Sequence, residues 1–485
     1  MGGKGLLMAK LVGVVVDADT GVKVECRVQV LSPAGPFVHP DDAILKVGPG
    51  APFFYSDGTF DLETGRGRLQ ITVERGTEYE PAVVPVQMPA RGVRTVEIAL
   101  RRWATLSGHG WHPGNTHIHY DEKETRPDER LQLDPRVEDL QMTAVSVLKR
   151  RELDYATNKY APGFLTEFSS AHHYVQSGEE SRHNSEPWKP GYGHIMLLNI
   201  RNVVDPLSRG VLVDPFDPDY PPLSFACDDA RRQGGIVIWC HNGQGMEAPV
   251  AAALGKLDAF NLFDPGWNDA EYDIYYRMLN AGFRLPASTG SDWFISSANR
   301  VYANTGAEFD YADWLDALKA GRTFITNGPA VFLSVNGQAP GSVIDAIDGN
   351  PLTVEVLWDS HYPVHNVEVI ANGRVVGSKM FPAGSKSGEL TLETSAESDG
   401  WVAARLSSDA RDSFAQPVFA HTSPVYVNVG KDGAHKREAA ASFDWAIERS
   451  LEWVNTKGRF YTDAQRKEVV DLFREAQQRY KAMRD

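Results

Sequence analysis

The sequence is poor in cysteine and contains no long apolar run. Its three cysteines, Cys26, Cys227 and Cys240, are widely spaced and form no Cys-x-x-Cys pair, which is typical of buried free thiols in a reducing compartment. No segment approaches the roughly 18 uninterrupted apolar residues that a membrane span needs. The apolar stretch 5–9 is too short for the core of a secretory signal. These absences predict a cytoplasmic protein without a membrane partner, or a secreted one if a leader has been removed.

Basic residues are also scarce relative to acidic ones. The chain has 49 lysines and arginines against 64 aspartates and glutamates, which gives a net charge of −15. A surface of that sign repels phosphate backbones, so the charge argues against a nucleic-acid partner. The remaining composition, 42% hydrophobic and 23% charged, is ordinary for a globular protein.

The chain of 485 residues is too long for a single hydrophobic core. Short apolar runs separated by turn-forming residues predict an N-terminal β-sandwich module at residues 1–105, and the pattern returns at 331–430 as a C-terminal β-sandwich module. Residues 431–485 are predicted to be a helical tail, because Val469, Phe473, Ala476 and Tyr480 recur at helical spacing. We expect this tail to pack on the body of the protein, with a homo-oligomer contact between two copies as the alternative.

Residues 106–330 differ from both flanks in their histidine content. Nine of the fourteen histidines lie between His109 and His241, where an even spread would place about four. Apolar runs such as 144–148 and 236–240 alternate there with longer polar or helix-compatible stretches. That alternation predicts an α/β domain, with a β/α barrel as the candidate architecture. In a barrel of that kind, the active-site residues lie at the carboxyl ends of the strands.

One segment of this region, residues 115–120 (NTHIHY), contains two histidines at a spacing that suits metal binding. Because alternate side chains of a strand share a face, His117 and His119 project in the same direction. Two imidazoles on one face can chelate a single metal ion without bending the backbone. The alternative interpretation is a pair of surface histidines.

Further candidate ligands follow along the chain. Glu179 and Glu180 point to opposite faces if they lie in a strand, so only one of them can be a ligand. His194 begins an apolar strand, His241 ends another, and Asp292 follows a short apolar stretch within a Gly-Ser-Asp segment. Imidazole nitrogens combined with carboxylate oxygens suit Zn²⁺, Mn²⁺ or Fe²⁺. The sequence therefore predicts a divalent-metal site in this region.

The order of these motifs resembles that of the polymerase and histidinol phosphatase (PHP) superfamily, and more narrowly its carbaryl-hydrolase-like branch. The shared order is His-x-His, Gly-x-Glu with a downstream Gly-His, a histidine at a strand end, and Gly-Ser-Asp. Residues 320–329 (AGRTFITNGP), 400–405 (GWVAAR) and 420–425 (AHTSPV) are similar to that branch's later signatures. Residues 56–60 (SDGTF) match its front β module. The likeness covers most of residues 10–430.

The resemblance implies a PHP-type distorted β/α barrel flanked by the two β-sandwich modules, and a metallohydrolase that cleaves esters, carbamates or amides. Carried over position by position, it implies the following metal ligands: His117, His119, Glu180, His194, His241 and Asp292.

Three departures from the superfamily pattern reduce the number of ions that we expect. Asn115 stands where an aspartate or glutamate is usual, residues 147–150 (VLKR) replace Thr-Asp-His, and Phe294 replaces a histidine. Losing these ligands favours one ion, or a loosely held second one, over three. Lys149, if it points inward, could stabilise developing negative charge. The alternative for Lys149 is a solvated lysine at the end of a strand.

The function predicted from these residues is hydrolysis of a carbonyl-centred bond in a small-molecule substrate. We expect attack by a metal-bound hydroxide, with Asp292 accepting the proton of the water. Tyr120, Trp293 and Phe294 would provide an apolar wall for an aromatic substrate, or else pack within the barrel. Two alternatives remain: a phosphoesterase using the same metal site, and a non-enzymatic binding protein with several β modules and a structural metal.

Overall fold

The computed structural model of the chain describes residues 9–32, 34–148, 156–186, 189–207, 217–241, 245–264 and 272–484. Strands make up 44% of the structure and helices 22%. The predicted α/β class is therefore wrong. The strands join into large mixed sheets, and the described residues contain no PHP-type β/α barrel.

The N-terminal region folds into two small sheets around one core. β1 lies between β5 and β8 in the first sheet, and β2 pairs with β3, β4 and β6 in the second, where β6 also pairs with β7. Side chains such as Leu11, Leu62 and Ile71 alternate with exposed neighbours and pack between the sheets. The strands are β1 (Ala9–Asp17), β2 (Cys26–Leu31), β3 (Phe37–Val38), β4 (Phe54–Ser56), β5 (Thr59–Thr64), β6 (Gly67–Glu74), β7 (Ala82–Met88) and β8 (Gly92–Leu100).

The central region contains most of the short helices and the histidine-rich strands. Its strands are β9 (Trp111–His119), β10 (Met142–Val147), β11 (Gly163–Phe164), β12 (Tyr174–Glu186), β13 (Lys189–Leu198), β14 (Ile236–Trp239), β15 (Ala259–Phe263), β16 (Ala287–Thr289), β17 (Asp292–Trp293), β18 (Arg300–Asn304) and β19 (Thr323–Thr326). Its helices are α1 (Pro127–Val137), α2 (Leu223–Arg232), α3 (Ala248–Ala253), α4 (Tyr272–Asn280) and α5 (Tyr311–Ala320).

The pairing of these strands explains why the barrel prediction fails. A β/α barrel needs parallel strands that are each followed by a helix. Here β9, β10 and β12 run parallel, but β12, β13 and β14 are antiparallel neighbours, with Glu180 opposite Met196 and Ile195 opposite Trp239. Buried strands of either orientation appear in the sequence as apolar runs between polar stretches. The sequence pattern therefore could not distinguish a mixed sheet from a barrel.

The C-terminal strands continue the central sheet, because β19 pairs with β25. β22 and β23 form a long antiparallel ribbon. Two final helices pack against each other and against α3, where the Tyr480 hydroxyl donates to the carbonyl of Pro249 over 2.7 Å. The elements are β20 (Ala330–Val335), β21 (Val343–Asp345), β22 (Asn350–Ala371), β23 (Arg374–Ala396), β24 (Gly400–Arg411), β25 (Pro417–Thr422), β26 (Val425–Asn428), α6 (Ala434–Thr456) and α7 (Asp463–Arg484).

None of the helices in the described part of the chain combines the length and the apolar character that a membrane span requires.

A buried group of charges connects the N-terminal sheets to the central region. Arg27 of β2 donates to a carboxylate oxygen of Glu138, just after α1, over 3.0 Å. Arg300 of β18 donates to the backbone carbonyl of Glu138 over 2.7 Å and lies 3.5 Å from its second carboxylate oxygen. All three side chains are at most 3% exposed. Glu138 is therefore the shared counter-charge of two buried guanidinium groups.

Candidate metal centre

The six predicted metal ligands converge at one place in the central region. His117 and His119 lie at the carboxyl end of β9, His241 follows β14, and Asp292 begins β17, which pairs in parallel with β9. This pairing places Asp292 opposite Ile118, between the two histidines of β9. Glu180 of β12 and His194 of β13 complete the group, since hydrogen-bonding distances and ion pairs join them to the others.

A first set of ligand atoms surrounds the two histidines of β9. Nε2 of His117 lies 2.9 Å from Nε2 of His119, and the latter lies 2.8 Å from Oε2 of Glu180. Oδ1 of Asp292 is 3.4 Å from Nε2 of His117 and 3.7 Å from Nε2 of His119. All four residues offer atoms within 4.8 Å of one another. This set could hold one divalent cation.

A second set uses the other oxygen of the same glutamate. Oε1 of Glu180 lies 3.1 Å from Nδ1 of His194 and 3.4 Å from Nε2 of His241. These three residues again place ligand atoms within 4.8 Å of one another. Glu180 therefore presents one oxygen to each set, as a carboxylate that bridges two cations would do.

The hydrogen bonds of His119 fix which of its nitrogens carries a proton. Nδ1 of His119 donates to the backbone carbonyl of Ser146 over 2.8 Å. Burial lowers the pKa of this imidazole even though Glu180 raises it, so the ring is neutral. Nε2 must then carry an unshared electron pair, and this pair faces a carboxylate oxygen at 2.8 Å. Two electron-rich atoms at that distance repel each other, and a cation bound between them would remove this repulsion.

His194 repeats this arrangement in the second set. Its Nε2 lies 2.9 Å from the amide oxygen of Asn184, so Nε2 is the donor and Nδ1 has the unshared pair. Burial lowers the pKa of His194 to about 4. Nδ1 is buried without a hydrogen bond among the described residues, as is Oδ1 of Asp292 in the first set. These ligand atoms fit a divalent cation, which would replace the missing bonds.

Two acidic side chains of the centre, Glu180 and Asp264, have lowered pKa values. Burial raises the pKa of Glu180, but the Arg182 charge and the neighbouring imidazoles of His117 and His119 lower it well below its usual range. Burial likewise raises the pKa of Asp264, and hydrogen bonds from His117 and His241 outweigh it and lower the pKa. Carboxylate oxygens beside several imidazole nitrogens form a donor set that suits Zn²⁺, Mn²⁺ or Fe²⁺.

Asp264 is a seventh member of the centre, and the sequence analysis missed it. Its Oδ2 lies 3.2 Å from Nδ1 of His117 and 3.4 Å from Nδ1 of His241, so one carboxylate orients two imidazoles. The side chain is held by the backbone N–H of Gly290 over 2.8 Å and the amide of Asn261 over 2.6 Å. Its position directly after an apolar strand is the same signal that identified His241.

We expect Asp264→Asn to lower metal affinity by about 10- to 100-fold, the usual effect of losing a carboxylate that orients metal-binding histidines. Competition with a chromophoric chelator would measure that affinity. Asp258→Asn is the matched control, because Asp258 lies at the opposite end of β15 and pairs with Arg231 over 3.1 Å. Equal metal affinity in the two variants would contradict the orienting role of Asp264.

The backbone around the ligands adopts conformations that side chains rarely allow. His241 has a φ of 52° and Asp292 a φ of 58°, both in the left-handed region. Such strain at non-glycine residues persists where the surrounding structure enforces it, often at functional sites. The Gly-Ser-Asp segment needs a glycine at position 290, because a Cβ there would lie 2.5 Å from the Cβ of His117. Only glycine lets this segment approach β9 closely enough to place Asp292.

The structure also shows where the remaining candidates lie. Glu179 faces away from the centre and accepts the backbone N–H of Val204 over 2.8 Å, so Glu180 is the glutamate of the site. Asn115, which stands where the superfamily has an acid, donates to Ser291 over 2.7 Å and also accepts the N–H of His117. The predicted catalytic residue Lys149 lies outside the described residues.

The three aromatic candidates have different positions. Tyr120 and Phe294 are buried in a hydrophobic cluster, and their ring centroids are 5.7 Å apart. Trp293 is only partly buried, and its ring centroid lies 5.1 Å from that of His119. Of the three rings, only that of Trp293 is partly exposed beside the centre, while the other two pack within the core.

Comparisons with known proteins identify no family for this chain. No protein family matches the sequence, and no curated protein does either. A solved structure of a Streptococcal ancillary pilin is similar at 14% identity, over 24% of this chain and 37% of that chain, with a TM-score of 0.15. A likeness at that level supports no inference about fold or function. The functional assignment must therefore be made from the chemistry of the centre.

Proposed function

We propose that this chain is a metal-dependent hydrolase that cleaves a carbonyl-centred bond in an ester, a carbamate or an amide. The observation that carries the proposal is the environment of Glu180. Its two oxygens lie 2.8 Å and 3.1 Å from ring nitrogens of His119 and His194, and the other nitrogen of each ring already contacts a protein oxygen. A fully buried carboxylate requires compensating charge, and divalent cations bound between it and these nitrogens would supply that charge.

The two ligand sets support two ion positions. The first would use His117, His119, Glu180 and Asp292, and the second Glu180, His194 and His241. Zn²⁺ or Mn²⁺ suits these donors best, and Fe²⁺ is also compatible. A divalent ion supplies Lewis acidity, which polarises a carbonyl oxygen and lowers the pKa of water towards about 7.

The side chains at the rim of the centre suit hydrolysis. The Asp292 side chain is 17% exposed, whereas those of His117, His119 and Glu180 are fully buried. Asp292 is thus the most exposed of the candidate ligands, and its carboxylate can accept and hold the proton of an attacking water. Trp293, the next residue along β17, offers an apolar surface for the acyl or aryl part of a substrate.

Two further points support catalysis over a purely structural metal. A structural site saturates its ion with protein ligands and excludes solvent, whereas Asp292 stays partly exposed. The motif order described above is also similar to that of the carbaryl-hydrolase-like branch, to which we propose that the chain is related. That resemblance rests on motifs alone, because the fold expected from it is not observed.

The test is metal analysis of the purified protein combined with a panel of chromogenic substrates. The panel would contain an aryl ester, an aryl carbamate, an anilide and an aryl phosphate. We expect bound Zn or Mn, and we expect removal of the ion by a chelator to lower kcat/KM by about 10³-fold. Adding the metal back should restore activity. Chelated protein that keeps full activity, or protein that binds no metal, would refute the proposal.

The panel also separates the alternatives. Activity confined to the aryl phosphate would replace the proposal with phosphoester hydrolysis at the same centre. Tight metal binding without turnover of any substrate would instead favour a binding protein with a structural metal.

A further inference from the structure

One cationic side chain at the centre has no role in holding metal. Arg182 lies two residues after Glu180 on β12, so the two side chains share a face of the strand. It also pairs in register with His194 across the β12–β13 hairpin. The Arg182 side chain is only 10% exposed, and its Nη1 lies 3.6 Å from Oε2 of Glu180. The guanidinium group is therefore buried at the edge of both ligand sets.

The other donors of this guanidinium are unused. Nε and Nη2 of Arg182 are buried and have no hydrogen-bond partner in the part of the chain that the structure describes. Leaving charged donors buried without acceptors costs free energy, so such groups normally have a partner. Nε and Nη2 form the side-on edge of the guanidinium, which matches the two oxygens of a carboxylate in a bidentate pair.

The charge of the centre also indicates that the Arg182 guanidinium has a further partner. If two divalent ions bind as proposed above, the negative charges of Glu180, Asp264 and Asp292 are fewer than the positive charges of the two ions and Arg182. A guanidinium beside bound cations is repelled by them unless an anion lies between. Were Arg182 only a counter-charge for Glu180, metal binding would take that role away.

We propose that Arg182 binds an oxyanionic group of the substrate, and that this group is a carboxylate close to the scissile bond. The inference rests on the proposed function and narrows it to carboxylate-bearing esters or amides, such as half-esters of dicarboxylic acids and N-acyl amino acids. Arg182 acts here as a specificity-determining residue. A phosphate offers the guanidinium similar chemistry, so the test compares the two groups.

The first experiment measures kcat/KM for p-nitrophenyl acetate and for the mono-p-nitrophenyl ester of glutaric acid. We expect wild-type protein to prefer the carboxylate-bearing ester by about 10- to 100-fold, the range of a charge-assisted bidentate pair. Arg182→Met should lose this preference, so that its kcat/KM values for the two esters differ by no more than a few-fold. Arg182→Lys should recover only part of it, because an ammonium group cannot form the bidentate pair.

The second experiment measures binding without turnover. Glutarate and inorganic phosphate are titrated into metal-loaded wild type, Arg182→Met and, as a control on the same strand, Glu179→Gln. We expect glutarate to bind wild type and the control equally, and Arg182→Met at least 10-fold more weakly. Circular dichroism and metal content would verify that the variants are folded and loaded.

The outcomes distinguish this inference from the proposed function. Equal glutarate binding by wild type and Arg182→Met would overturn the inference, even if the protein hydrolyses neutral esters. Arg182-dependent glutarate binding in a protein that hydrolyses no substrate would support the anion site while the hydrolase proposal fails. Tighter Arg182-dependent binding of phosphate than of glutarate would overturn the assignment to a carboxylate.

Discussion

Replacing Glu180 with glutamine is expected to release bound metal and to lower kcat/KM by about 10³-fold. The substitution keeps the size of the side chain but removes its negative charge. It also replaces one oxygen by an amide nitrogen, which cannot bind a cation. Because Glu180 faces His119 at 2.8 Å with one oxygen and His194 at 3.1 Å with the other, both ligand sets are affected at once. Metal content by mass spectrometry and kcat/KM for the best substrate of the panel would measure the two effects.

Glu179→Gln is the matched control for this change. Glu179 is adjacent on the same strand and equally buried, but it accepts the N–H of Val204 on the opposite face. We expect this variant to keep its metal and most of its activity. If Glu180→Gln retained a full complement of metal, or if both variants lost it equally, the bridging role of Glu180 would be refuted.

Replacing Glu138 with glutamine is expected to lower the free energy of unfolding by about 3–5 kcal/mol, the usual effect of removing one partner from a buried ion pair. The loss is large because Arg27 and Arg300 both depend on this carboxylate, and neither side chain is more than 3% exposed. Arg27 belongs to the N-terminal sheets, so their attachment to the central region should weaken. Urea unfolding followed by tryptophan fluorescence would measure the change.

The control for this prediction is Glu74→Gln. Glu74 also pairs with Arg27, over 2.9 Å, but its side chain is 15% exposed, and Arg27 keeps Glu138 as a partner. This variant should lose less than half as much stability. Equal shifts in the urea midpoint for the two variants would show that Glu138 contributes no more to stability than the more exposed Glu74.

Local signals predicted much of the candidate metal centre. His117 and His119 share a face because strand geometry places alternate side chains together, and this holds whatever surrounds the strand. His241 and Asp292 follow apolar strands, and their side chains are of types that bind metals, which made them candidate ligands. Asp264 has the same position after an apolar strand, but a single aspartate is common at strand ends. Only its contacts with His117 and His241 identify it as part of the centre.

The choice between Glu179 and Glu180 shows the limit of such signals. The two-residue repeat of a β-strand places the side chains of Glu179 and Glu180 on opposite faces, but it does not show which face meets the histidines. Pairing of β12 with β10 and β13 decides that question, because it sets the position of Glu180 relative to His119 and His194. The same holds for Arg182, whose sequence context does not single it out. Only the folded chain shows that its Nε and Nη2 are buried without a hydrogen-bond partner among the described residues.

By itself, the sequence determined the types of ligand, the β-rich character of the N-terminal region and the strands that carry the histidines. These follow from residue chemistry and from the spacing of apolar side chains over a few residues. The tertiary structure alone decided the orientation of β12, β13 and β14, and with it the mixed sheet in place of the predicted barrel. Strand direction depends on contacts between residues far apart in the chain, which no local pattern records. For the same reason, only the folded chain shows that both oxygens of Glu180 face imidazole nitrogens.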